Sequence, residues 1–90
     1  MLDIVTTKVF DKDYKLLKKR GYNLNLIKEV IEILADEKEL PQKYKNHQLI
    51  GNYAGFMECH IHPDWLLIYK IEKNKLILTL SRTGTHSDLF

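Results

Sequence analysis

The chain has little of what stabilises small secreted scaffolds. It holds one cysteine, Cys59, among its 90 residues, which excludes an internal disulfide and fits a reducing cytoplasm. Without a Cys-x-x-Cys pair, a thiolate zinc site is not expected. No apolar run approaches the ~20 residues that span a bilayer, so no transmembrane helix is expected. The N-terminus, MLDIVTTKVFDKDYK, carries early acids and no long apolar stretch, and so does not read as a signal peptide. Internal repeats and low-complexity tracts are missing as well. A charge excess of either sign is also lacking: the net charge is +2, too weak by itself to mark a nucleic-acid binder.

What is present is an ordinary globular composition, 44% hydrophobic and 29% charged, in a length that allows one small domain with a single core over residues 1–90. The charge is unevenly spread. Residues 1–20 hold six Lys/Arg against three acids, residues 21–40 two against five, and residues 41–90 six against four. A basic first helix beside an acidic second one could steer an anionic partner, or could be two ordinary solvated helix faces.

Hydrophobic spacing predicts the elements. Leu2 to Val5 reads as an opening strand, and Thr6 or Thr7 can cap the helix that follows. Phe10, Tyr14 and Leu17 form one apolar stripe, with Lys8, Lys12, Lys15, Lys18 and Lys19 over most of the rest. Gly21 stops this helix and Asn23 caps the next, whose apolar face is Leu24, Ile27, Val30, Ile31, Ile33 and Leu34. Residues 37–52 read as a long loop, of the kind that often serves function. Strands are expected over 53–61, with Phe56, Glu58 and His60 on one face, over 65–71, apolar on both faces, and over 75–81. The order β-α-α-β-β-β implies an α+β fold, a helical hairpin packed on a mostly antiparallel four-stranded sheet.

The polar chemistry collects at a few places. His60-Ile61-His62-Pro63-Asp64-Trp65 puts two imidazoles, a carboxylate and the lone tryptophan just ahead of an apolar strand. Arg82 shares the parity of Leu76, Leu78 and Leu80, so its guanidinium is expected to face the core or a concavity, where it needs an anion. In an antiparallel sheet the connection at Pro63 and the chain beyond Ser81 fall at the same end. His60, Asp64, Trp65, Arg82, His86 and Phe90 are therefore expected to converge on one rim. Singly, each has a plainer use: a surface imidazole, a turn cap, a core aromatic, a structural ion pair. Together they supply acid/base groups that titrate near neutrality, a fixed cation and flat apolar side chains, which suits metal-free phosphodiester cleavage. RNA brings its own nucleophile in the 2′-OH, and Trp65 or Phe90 could stack a base. A metal site built from His47, His60, His62, His86 and Asp64 is the rival, against which stands the absence of a His-x-x-x-His helix and of a dense carboxylate set.

Three ordered blocks then carry a resemblance: Tyr44-Lys45-Asn46-His47-Gln48-Leu49 followed by Gly51; the run from Glu58 through His60, Pro63, Asp64 and Trp65 to Tyr69; and the ending from Arg82 to Phe90. The chain resembles the YafQ branch of the RelE/ParE toxin superfamily, ribosome-dependent mRNA interferases of type II toxin–antitoxin systems. The resemblance implies a β-α-α-β-β-β fold and cleavage of mRNA in the ribosomal A site against ribosomal RNA, with adenine-rich lysine codons favoured in the best-known branch. It also implies no cofactor, no metal, a cytoplasmic setting and inhibition by a cognate antitoxin. It places the site on His47, His60, Asp64, Trp65, Arg82, His86 and Phe90. His86 would be the general acid for the leaving 5′ oxygen, Asp64 or His60 the base at the 2′-OH, and His47 and Arg82 the phosphate holders. Relatives often carry a basic residue ahead of the Glu-x-His segment; here that place is Phe56 or Met57, so the contact would be lost or supplied elsewhere, by Lys43, Lys45 or Lys70. A toxin of the same superfamily acting on a protein target without nuclease chemistry, or a non-enzymatic partner-binding module, remain the alternatives.

Overall fold

Both helices of the hairpin begin where the sequence offers an acceptor for their first free N–H groups. The Thr7 hydroxyl accepts from Phe10 N at 2.9 Å and opens α1 (Lys8–Lys19), and the Asn23 side chain accepts from Asn25 N at 3.1 Å and opens α2 (Leu24–Ala35). Between them Gly21 takes φ +80°. Its N–H reaches Lys18 O and that of Tyr22 reaches Leu17 O, each at 3.1 Å, which closes α1 in the Schellman manner. The computed structural model describes all 90 residues. Around the hairpin it places strands β1 (Asp3–Thr6), β2 (His47–Gln48), β3 (Met57–His62), β4 (Trp65–Glu72) and β5 (Ile77–Gly84), and a final one-turn helix α3 (His86–Leu89). No helix is long and apolar enough to cross a membrane.

The sheet has five strands in the order β1-β5-β4-β3-β2, with β1 parallel to β5 and every other pair antiparallel. The α+β reading and the element order stand, with a correction to the strand count. The extra strand is β2, two residues inside the expected loop, too short to show any periodicity. Boundaries also move. The strand expected from Tyr53 begins only at Met57, Tyr53 itself closing a 3₁₀ turn, and β5 runs from Ile77 to Gly84 instead of ending at Ser81.

The two faces of the sheet do different work. Toward the hairpin, Cys59, Ile61, Trp65, Leu67, Tyr69, Leu78 and Leu80 pack against Phe10, Leu17, Ile27, Val30, Leu34 and Ala35. Truncating a fully buried member such as Leu67 to alanine would cost about 2–5 kcal/mol. On the opposite face a smaller cluster forms from Leu66, Ile68 and Leu89, with Leu49, Tyr53 and Phe56 packed against it. That second face is left open by the helices.

One irregularity decides what the open face carries. Leu80 lies opposite Tyr69 but Arg82 lies opposite Ile68, so Ser81 is an extra residue in β5, a β-bulge. Directly paired residues share a face, and Ile68 belongs to the open one. The parity expected for Arg82 is therefore wrong: the bulge carries it away from Leu78 and Leu80 to the other side. The bulge is held from α1. Thr7 Oγ1 donates to Ser81 O at 2.8 Å, and the Asp13 carboxylate accepts from Thr83 N at 3.2 Å, where β1 no longer covers the edge of β5.

Helix α3 is anchored differently. Thr85 and Asp88 cap it reciprocally: Asp88 N donates to Thr85 Oγ1 at 3.2 Å and Thr85 N to Asp88 Oδ2 at 3.0 Å. Arg20 grips the same carboxylate with both ends of its fork, at 2.8 and 3.3 Å. A Cβ at Gly84 would stand 2.9 Å from Asp88 Oδ2, so only glycine lets that carboxylate fold back. The Arg20 hydrogen bond, then that from the Thr85 backbone, hold the Asp88 carboxyl down at about 2 from an ordinary 3.8. A depressed carboxyl stabilises above its unfolded value and stops doing so as pH falls through its folded one. An NMR titration of residues 85–90 should thus show α3 intact at pH 4 and released only towards pH 2; release centred near pH 4 would contradict the ion pair.

Candidate functional site

Strand register assembles the site. His47 pairs with Glu58, Glu58 with Ile68 and Ile68 with Arg82, one row across four strands on the open face. The next row is His60, Leu66 and Gly84. Where Gly84 has no side chain, the chain turns into α3 and brings His86 and Phe90 over the face. Of the residues expected to converge at a rim of the sheet, His60, Arg82, His86 and Phe90 gather on its open face and Trp65 does not.

The rings form a continuous arc. Centroid spacings are 6.2 Å for His47–His60, 6.2 Å for His60–His86, 6.0 Å for His86–Phe90, 5.9 Å for Phe90–Tyr53 and 6.3 Å for Tyr53–Phe56. Residues from segments as distant as 47 and 90 thus share one surface. Phe90 is 65% exposed and presents its free face outward.

Glu58 lies between two of the imidazoles. It is only 5% exposed, and a buried carboxylate needs partners. His47 Nε2 is 3.2 Å from its Oε1 and His60 Nε2 is 3.9 Å from the same oxygen. His47 Nδ1 lies 2.8 Å from Lys45 O, and a carbonyl can only accept, so Nδ1 carries a hydrogen. Its Nε2 is turned toward the Glu58 carboxyl, so one carboxyl oxygen stands between two imidazoles. Glu58 stood inside the quoted motif without a role; its alternation with His60 was the signal that could have found it.

On the other side, Asp64 Oδ1 lies 3.4 Å from His86 N and 3.6 Å from His86 Nδ1, so the carboxylate stands beside the Nδ1 edge of the ring and away from Nε2. Arg82 donates from Nε and Nη2 to the two oxygens of Asp13, each at 3.0 Å, and has the Tyr53 hydroxyl as a further neighbour. Its pKa is raised chiefly by the Asp13 bond, so it stays a cation. Asp13, on a helix far away in sequence, had no signal marking it as the partner of Arg82. Lys43 and Lys45 line a groove of about 410 Å³ with His60 and His62. Lys70 Nζ sits 5.5 Å over the Phe56 ring, beside the place where relatives were expected to be basic. The loop carrying His47 is tied to β4 by Tyr69, whose hydroxyl donates to Asn46 Oδ1 at 2.6 Å; burial pushes that hydroxyl up to about 12, so it remains a donor near neutral pH.

Trp65 is a correction. It is 2% exposed on the helix side, edge-on to Tyr22 with centroids 5.0 Å apart. Its Nε1 donates to Thr83 Oγ1 at 2.9 Å, which donates on to Leu66 O at 2.8 Å. With the sheet between it and the open face, it offers no surface to a base. Cys59 is likewise no nucleophile: burial, then the neighbouring Glu58 charge, push its thiol up to about 12. No three His, Cys, Asp or Glu side chains are grouped to hold a metal ion, and the chemistry derived below uses the side chains alone.

Residues 2–90 match the family described as the bacterial toxin of type II toxin–antitoxin system, YafQ. The mRNA interferase toxin YafQ of Escherichia coli K12 is 39% identical over 89 residues, 98% of this chain and 95% of that protein. Among solved structures, a metal-bound toxin from Helicobacter pylori superposes with a TM-score of 0.94 at 50% identity, over 100% of both chains. The toxin in the E. coli DinJ–YafQ complex gives 0.91 at 40% identity, over 100% of this chain and 99% of that one. By sequence and fold alike, this chain belongs to the YafQ family of toxins from bacterial type II toxin–antitoxin systems.

Proposed function

We propose that the chain is an mRNA interferase, an endoribonuclease that cuts mRNA in the ribosomal A site by attack of the ribose 2′-OH on the adjacent phosphorus. The observation that carries this reading is the 6.2 Å spacing of His60 and His86 on a face that also holds Arg82. One phosphodiester linkage seated there reaches an imidazole on either side and a guanidinium across the row.

The proton ledger balances with these groups. His60, backed by Glu58, takes the 2′-OH proton as the new bond to phosphorus forms. His86, beside Asp64, gives a proton to the 5′ oxygen as that bond breaks. Arg82 offers its guanidinium to the phosphoryl oxygens, where charge builds in the transition state, and His47 backs Glu58 at the other end of the row. Phe90 stacks a base, and Lys43, Lys45 and Lys70 receive flanking phosphates. The products are a 2′,3′-cyclic phosphate and a 5′-hydroxyl. The setting is the cytoplasm, where ribosomes are, and a cognate antitoxin is the natural restraint, as DinJ accompanies the E. coli relative.

On purified translating ribosomes, His86→Ala and His60→Ala should each lose about 10²–10⁴-fold in cutting rate. Replacing the 5′ bridging oxygen with sulfur, which leaves without a proton, should rescue His86→Ala but not His60→Ala. Undiminished cutting by both variants, or equal rescue of both, would overturn the assignment. Phe90→Ala should raise KM by about 5- to 150-fold, for a lost stack of about 1–3 kcal/mol. Trp65→Phe should lower Tm and leave KM alone; the reverse pattern would return Trp65 to the substrate.

A further inference from the structure

We propose that Arg20, at the end of α1, is a positioning residue that holds His86 in place through Asp88. The inference rests on the reading of His86 as the general acid, and it begins with the length of α3. Four residues make a single turn, which cannot persist by its own hydrogen bonds because nucleating a helix costs more than one turn returns. His86 opens this turn, and its side chain is 57% exposed. The His60 and Phe90 rings stand 6.2 and 6.0 Å from it, centroid to centroid, but Phe90 belongs to the same terminal segment, so the place of the ring follows the place of α3. The Asp64 contacts, at 3.4 and 3.6 Å, are too long to hold it alone.

The Leu89 side chain, buried under the open face, sets the depth of α3 but not its rotation. Rotation needs a directional contact, and Arg20 supplies one. Its two-pronged grip on Asp88 ties α3 to the last turn of α1 across 68 residues of sequence. Asp88 in turn caps Thr85, the residue before His86. The path from the guanidinium to the imidazole is therefore three short steps: Arg20 to Asp88, Asp88 to Thr85, Thr85 to His86. An ion pair this exposed adds little to overall stability. Its effect is on geometry, where a displacement of about 1 Å can cost about 10²-fold in rate.

The competing role for Arg20 is a direct phosphate contact from a basic helix, and a double-mutant cycle separates the two. Clamping predicts that Arg20→Ala and Asp88→Asn each lower kcat about tenfold with KM within about twofold, and that the double variant is no worse than either. Arg20→Lys should restore only part, since an ammonium lacks the fork. Carbon-13 relaxation of the His86 ring should show larger motion in the three variants that break the pair. A phosphate contact predicts instead that Arg20→Ala raises KM while Asp88→Asn, which frees the guanidinium, leaves cutting intact or improves it. That outcome, additive losses in the double variant, or an unchanged His86 ring would each overturn the clamp. Failure of the acid role is read separately, from full cutting by His86→Ala, because the ring relaxation reports on the clamp with no RNA present.

Discussion

A single extra residue in β5 governs the rest of the structure. Were Ser81 paired in register, Arg82 would follow Leu78 and Leu80 into the apolar core against the hairpin instead of facing the row of Glu58 and Ile68. The bulge sends it to the open face instead, and α1 keeps the bulge in place through Thr7 on the Ser81 carbonyl and Asp13 on the Thr83 amide. The same Asp13 then takes two prongs of Arg82. Backbone irregularity and side-chain aim are thus one feature, fixed by one carboxylate. Bulges of this kind are common beside active sites because they redirect a side chain without changing the strand order.

The helix-side core and the open face depend on each other through β4. Trp65, Leu67 and Tyr69 point into the core, while Leu66 and Ile68 floor the site. A strand buried on both sides is stiff, and the residues across from it inherit that stiffness by register: Glu58 and Arg82 opposite Ile68, His60 and Gly84 opposite Leu66. The acid/base groups stand on strands or next to their ends, which holds them more closely than loops would. His86 is the exception, carried on a terminal turn that must be held from outside.

What the sequence made legible was whatever repeats with a period or stands in a motif. The helical hairpin followed from Phe10, Tyr14 and Leu17 and from the apolar face of α2, and its caps from Thr7 and Asn23. The meeting of His60 with His86 followed from strand order. A bulge has no periodic signature, so the parity of Arg82 was misread through Ser81. Strand β2 has two residues and no pattern to detect. Trp65 was drawn to the site by its neighbours in sequence, although alternation puts it on the opposite side of β4 from Leu66. Asp13 and Arg20 looked like ordinary members of a charged helix, because an ion pair made across 68 or 69 residues leaves no local trace. Glu58 was visible as alternating with His60, but its burial between two imidazoles needed the third dimension.

The account makes the RNA supply its own nucleophile, with the open face handling only protons and charge. The most direct measurement is cutting of a ribosome-bound message whose scissile nucleotide alone carries 2′-deoxyribose. The account predicts that this message survives while its all-ribose counterpart is cut to a 2′,3′-cyclic phosphate and a 5′-hydroxyl. Cleavage of the deoxy-substituted message at the same position would mean that water or a side chain attacks the phosphorus, and would contradict the assignment of this face.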